Sequence, residues 1–333
     1  MVLEEDAMTY NGILRQLAMV LCLVCSALPG SAARAADTVT LGFLSSGSAS
    51  EWPLYIGQAQ GYFAAENINV DIIHAQANAA VIQQLTAGST NMATSAGLVD
   101  PIRAIEKGAP IAIVRIAIQA PPYALLAKAS IKSIQELKGK TIIIGGPKDI
   151  TRIFTEEMLK AKGVNPGEYD FVFAGATNAR FSALQSGAVD AALLTTPFNF
   201  FAESAGFANL GFTADYLSDT PFAGVAANRN WAAANPKLVE RFLGVMTKSI
   251  AWFNDEKNRD AAVTMLVDVS KLKKEDVEKA YDYMRGKHLF EPTGKVSKSR
   301  LGKVVAALRD LGDVPADFTV DRLVLPGVTQ LAD

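Results

Sequence analysis

Few side chains in this sequence could do covalent or metal chemistry. The 333 residues hold two cysteines, Cys22 and Cys25, and two histidines, His74 and His288. That is too little for a zinc cluster, an iron–sulfur cluster or a disulfide scaffold, so no metal and no cofactor is expected. Gly139-Lys140-Thr141 has the look of the end of a phosphate loop, but Ile134 stands where that loop needs its first glycine. No Gly-x-Gly-x-x-Gly follows an expected strand, and in Gly145-Gly146-Pro147 the proline removes a backbone donor. His74 falls at the end of an expected strand and His288 between helices, and no serine with a Gly-x-Ser-x-Gly context is available for either to activate. The residues therefore point away from an enzyme.

What remains is non-covalent chemistry. Four short segments concentrate hydroxyls, free amides and aromatic rings: residues 45–52, 95–97, 146–152 and 195–198. Such a set suits a small polar or anionic ligand, held by neutral donors and gripped by aromatic faces. The candidate ligand contacts are Ser46, Ser48 and Trp52 in the first segment, and Ser95 and Gly97 in the second. Lys148, Thr151 and Arg152 come from the third, and Thr196 and Phe198 from the fourth. Tyr123 and Phe222 lie on two further segments and could line the floor of a cleft or pack a hinge. Each has a plainer alternative: Trp52 as a packing residue of a first helical turn, Lys148 and Arg152 as a solvated rim, Ser50 and Asp149 as helix caps.

The spacing of apolar runs shows what must position these residues. Strand-like segments at 39–44, 69–74, 91–94 and 111–118 alternate with helical ones, and a second series places strands at 141–144, 169–173 and 191–194. This alternation predicts two βα lobes, each with a parallel sheet. The four candidate segments then all fall at carboxyl ends of strands, where open α/β sheets bind ligands. Two similar segments, 121–128 and 220–228, flank the second series and read as the chain crossings between lobes. Beyond them, Asn235 and Pro236 open a helix with an apolar stripe of Leu238, Phe242, Val245, Met246 and Phe253. A second stripe, from Leu301 to Leu311, ends at Gly312, and this helical tail is expected to complete the first lobe's core.

Length agrees, since one core rarely grows beyond ~300 residues. Lys plus Arg number 32 against 34 Asp plus Glu, a net charge of −2, so nucleic acid is not an expected partner. Both cysteines fall in the apolar run 17–28, followed by Ala33-Arg34-Ala35, which reads as a secretory signal peptide cleaved after residue 35. Met1 and Met8 are alternative starts, because Glu4, Glu5 and Asp6 make the longer leader acidic. The expected organisation is a signal peptide at 1–35, one lobe at 36–124 plus 225–333, and a second lobe at 125–224. Nothing in the sequence suggests more than a monomer.

The segments 53–63 (PLYIGQAQGYF), 85–97 (LTAGSTNMATSAG), 134–140 (IQELKGK) and 183–197 (ALQSGAVDAALLTTP) make the chain resemble a known family. It is similar to the periplasmic solute-binding proteins of ABC importers, in the nitrate/sulfonate/taurine group that includes thiamine-precursor binders. The resemblance implies a two-lobed α/β fold of type II. It implies capture of a small organic anion, such as a sulfonate, a carboxylate or a related heterocycle. Delivery to a membrane permease with its ATPase would follow. It places ligand contacts on residues 45–52, 95–97, 148–152 and 195–198. The segment 95–101 is less polar than in many relatives, which argues against a tight sulfonate or nitrate cage. Two alternatives share the fold: a thiamine-pyrimidine-synthase-like enzyme, disfavoured by the scarcity of cysteine and histidine, and a ligand sensor without a permease.

Overall fold

The computed structural model describes residues 35–44, 48–75 and 77–333. The segment read as a signal peptide, with both cysteines, lies outside the described residues up to Arg34, and so does Ser46. The first run comprises β1 (Asp37–Leu44), a 3-10 turn (Ala49–Glu51), α1 (Trp52–Ala59) and α2 (Tyr62–Ala65). It continues with β2 (Ile68–Ala75), α3 (Asn78–Ala87), β3 (Met92–Gly97), α4 (Val99–Glu106) and β4 (Ile111–Ile118). The second run comprises β5 (Tyr123–Ala127), β6 (Thr141–Ile144), α5 (Ile150–Ala161), β7 (Asp170–Phe173) and α6 (Thr177–Gln185). β8 (Ala191–Thr195), α7 (Phe198–Ser204) and β9 (Ala208–Phe212) complete it, and β10 (Ala223–Asn228) follows. The tail holds α8 (Arg229–Ala234), α9 (Pro236–Asn254), α10 (Arg259–Ser270), α11 (Lys274–Gly286) and α12 (Lys298–Asp310).

These elements form two α/β lobes, each on a five-stranded sheet, in the orders β2-β1-β3-β10-β4 and β7-β6-β8-β5-β9. The expected parallel sheets are mixed. β10 runs antiparallel to β3 and β4, and β5 antiparallel to β8 and β9. Both antiparallel strands come from the segments read as crossings. Every residue of each is buried, so no polar alternation marked them as strands. The crossings are shorter pieces, and the Thr213 hydroxyl braces the first of them. It lies 2.7 Å from the Pro121 carbonyl and accepts from the Tyr123 N–H at 3.1 Å.

The tail also differs from expectation. α9 does lay Phe242, Val245, Met246, Ser249 and Phe253 against α1 and α2, with Phe63 and Phe242 rings 5.3 Å apart. Asn235 opens α9 without capping it, because its side-chain amide bonds back to the Trp231 carbonyl at 2.9 Å. α11, however, packs on α7 of the second run. Asp276 accepts a hydrogen bond from Ser204, and Tyr283 stacks on Phe212 at 4.6 Å. Arg115, buried in the middle of β4, anchors the tail to the first sheet through Thr247 Oγ1 and the Glu291 carbonyl, both at 2.6 Å. Burial pulls that guanidinium down to about 10.

Candidate functional site

A cavity of about 410 Å³ lies where strand ends from the two sheets meet. Leu44, Ser48, Glu51 and Gly97 line it from the carboxyl ends of β1 and β3 and the turn that follows β1. Asn78 and Asp100 come from the starts of α3 and α4. Across the cavity, residues 145–151 follow β6, Gly175, Thr177 and Asn178 follow β7, and Thr195 and Phe198 bracket the turn after β8. Every wall is thus a βα turn, because parallel strands must all discharge their helices at the same edge. Tyr123 and Phe222, at the starts of β5 and β10, stand edge to face at 5.3 Å and 85° and close the floor.

Of the expected contacts, Ser48, Gly97, Tyr123, Lys148, Thr151, Phe198 and Phe222 line this cavity. Ser95 lies within β3. Trp52, Arg152 and Thr196 do not line it. Trp52 is fully buried against Phe253, 6.1 Å between rings, because the turn ahead of α1 rotates it into the core. Arg152 faces out along α5, bonded to Glu156 at 2.8 Å and to the Pro147 carbonyl at 3.1 Å. Thr196 is buried, with its hydroxyl on the Pro122 carbonyl at 3.1 Å. Asp149 caps α5 as expected, accepting from the Thr151 N–H at 2.8 Å.

The residues missed by sequence reasoning are the charged ones. Arg180 lines the cavity from α6, is 2% exposed, and bonds four groups: the carbonyls of Leu193 (2.8 Å), Ala174 (3.0 Å) and Gly175 (2.7 Å), and Thr177 Oγ1 (2.7 Å). It makes no ion pair among the described residues, and burial lowers its pKa. Its positive charge is therefore held in place by neutral acceptors. Asp100 accepts from Asn78 at 2.6 Å and lies 3.7 Å from Arg103, yet burial raises its pKa. Glu51 is 3% exposed, and burial raises its pKa well above the usual carboxylate range. One signal could have found Arg180: the βα turn after β7 occupies the same topological position as the four segments chosen, but holds few hydroxyls.

Two polar bridges join the two lobes beside the cavity. The Ala49 N–H, in the turn after β1, donates to the Thr196 carbonyl at 2.9 Å. Arg103 of α4 donates to the Lys148 carbonyl while pairing with Asp313. Arg103→Gln is expected to favour an open arrangement and to weaken ligand affinity several-fold, since a ligand touching both walls binds the closed state better. Small-angle scattering should show a larger radius of gyration, and an unchanged radius would exclude the bridge as a latch.

Glu51→Gln is expected to stabilise the unliganded protein at neutral pH. A carboxyl whose pKa is raised on folding weighs against the native state once the unfolded carboxyl ionises, above pH ~4.3. The gain should therefore be visible in melting curves at pH 7 and vanish near pH 4. A gain of equal size at both pH values would contradict the burial argument.

Among the described residues no group of three His, Cys, Asp or Glu is placed to hold a metal ion. Two α/β lobes with a cleft at their facing strand ends define the type II periplasmic-binding-protein fold. Residues 49–258 match the NMT1/THI5-like family, and the chain belongs to it. Comparison with curated protein sequences gives no match. Among solved structures, the alkanesulfonate-binding protein SsuA from Xanthomonas axonopodis pv. citri bound to MOPS is similar at 17% identity and a TM-score of 0.71. That likeness covers 90% of this chain and 100% of that one. The periplasmic nitrate-binding protein NrtA from Synechocystis PCC 6803 is similar at 15% identity and a TM-score of 0.72, over 88% of this chain and 86% of that one. The desulfurization enzyme DSZB shares the fold at 12% identity and a TM-score of 0.66, over 88% of this chain and 97% of that one.

Proposed function

We propose that the protein is the exported, extracytoplasmic solute-binding component of an ABC importer and captures a small organic anion for a membrane permease and its ATPase. One observation carries the reading: the cavity between the two lobes holds the buried Arg180 charge, which no carboxylate among the described residues neutralises by an ion pair. Lys148, on the same side, adds a second cation. Tyr123, Phe198 and Phe222 supply an apolar body contact, and Ser48, Thr151 and Thr195 supply hydroxyls. The solute-binding proteins of the same fold support transport rather than catalysis. His74 and His288 are both off the cavity wall, which removes the usual general base from the enzyme reading.

The ligand contacts proposed are the cavity residues, with Ser46 and Ser95 retained from the sequence because each adjoins the wall in the chain. The hinge proposed lies at the crossings near residues 124 and 224, the first of them braced by the Thr213 hydroxyl on Pro121 and Tyr123. Melting temperature against a panel of alkanesulfonates, short carboxylates and aromatic carboxylates tests the reading. A true ligand at ~100 times its Kd adds about 2.7 kcal/mol of apparent stability. Lys148→Gln should lower that gain, and a panel with no stabilising member would sink the proposal. Stimulation of the importer's ATP hydrolysis by the liganded protein would test delivery.

A further inference from the structure

The tail helix α11 touches both lobes, and its two faces are finished differently. Towards α9 and α10 its polar side chains are paired. The Tyr281 hydroxyl donates to the Phe253 carbonyl, Arg285 Nε donates to the Asn254 carbonyl at 3.1 Å, and Asp282 accepts two bonds from Arg259 at 3.0 and 2.8 Å. The Tyr281 ring adds a contact with Phe253 at 4.5 Å. Towards α7 and β9 the seam is apolar at its centre, with the Tyr283 ring stacked on Phe212 at 4.6 Å and 5.8 Å from Phe200. Its polar groups are short of partners. The Tyr283 hydroxyl is buried with none among the described residues, and so is Oδ2 of the buried Asp276, whose other oxygen accepts from Ser204. Just beyond the helix, Lys287 and Asp215 lie 3.0 Å apart, an exposed pair that contributes little.

A buried polar atom without a partner is destabilising, and it regains its hydrogen bonds when the surface that covers it moves away and water enters. The seam on α7 and β9 is therefore held by ring packing and opposed by two stranded oxygens. The seam on α9 and α10 has packing and hydrogen bonds both in its favour. When the lobes swing about their two crossings, the first of these seams is the one that gives. We infer that α11 is a strap: it travels with the first lobe, parts from α7 and β9 as the lobes open, and through Tyr283 sets how readily the empty protein opens. No residue of α11 lines the cavity, so the strap is a third tie between the lobes that acts at a distance from any solute. It rests on the solute-binding reading only in that the lobes move, and the chemistry of the solute does not enter.

Hydroxyl-radical footprinting and small-angle scattering on the ligand-free protein test the strap. Tyr283→Phe removes the stranded hydroxyl and keeps the ring, so the docked seam should be favoured. Oxidation of Phe200 and Phe212 should fall about fivefold, the effect of relieving one unpaired buried group, while Phe253 and Tyr281 on the other face keep their wild-type rates. Tyr283→Ala removes the ring, so the radius of gyration should rise, again with Phe253 and Tyr281 protected. Wild-type oxidation of Phe200 and Phe212 in Tyr283→Phe would overturn the strap, and that variant decides the matter if the alanine one does not fold. A wild-type radius in a folded Tyr283→Ala would overturn it too. So would new oxidation of Phe253 and Tyr281, which would mean that α11 leaves the first lobe instead. None of these measurements contains a solute, so the solute panel decides the transport reading separately: stabilisation by a panel member with no response to either variant would refute the strap and leave that reading standing.

Discussion

Trp52→Ala is expected to cost about 3–5 kcal/mol of stability, the range for removing a buried tryptophan from a packed core. The indole is fully buried, lies 6.1 Å from the Phe253 ring, and joins α1 to the long tail helix α9. Truncation would open a void that neither helix can close by sliding. α1 and α9 are already in close contact, and a Cβ added at Gly57 would stand 2.9 Å from Ser249 Oγ and 3.1 Å from Val245 Cγ1. Urea denaturation measures the loss directly. A change below ~1 kcal/mol would mean that Trp52 is more accessible than its burial indicates and would restore it as a ligand contact. The folded fraction of the variant should bind solute with nearly wild-type affinity, because the ring does not reach the cavity.

Arg180→Ala should be comparably severe, about 3–5 kcal/mol, and should also abolish binding. Removing the guanidinium leaves the Leu193, Ala174 and Gly175 carbonyls without their donor. Each such loss costs roughly 1–3 kcal/mol, less the relief from no longer burying a cation. Gly175 and Thr177 line the cavity, so the wall itself would loosen. Arg180→Lys separates the two effects. It keeps the charge but cannot span four acceptors, so stability should fall while some anion affinity survives. Wild-type stability in Arg180→Ala would show that the four bonds contribute little.

Much of the fold was legible from spacing. β3, β6 and β8 were found because each sits between helical segments, and the glycines after the helices at 78–87, 99–106 and 150–161 are at the expected positions. The edge strand β9, Ala-Asn-Leu-Gly-Phe, was not found, since it is half-buried throughout and carries no alternation. The antiparallel strands β5 and β10 were found as segments but not as strands. Their direction depends on which sheet they join, and an apolar run of five or six residues is silent about that.

The site divides the same way. Sequence alone determined which edge of the sheets would carry the cavity, because the βα turns must lie at the carboxyl ends of parallel strands. It also determined that hydroxyls and aromatic rings would be among the lining. Tertiary structure decided which of those side chains face the cavity: a single turn sends Trp52 into the core and leaves Glu51 on the wall. It also brought Arg180 into play, from a helix marked only by the topological position of the turn before it. The physical reason is that a buried charge is defined by the acceptors the fold gathers round it. For Arg180 these come from residues 174, 175 and 177 of the turn that opens α6 and from residue 193, which the packing of α6 on β8 brings within reach of the same guanidinium.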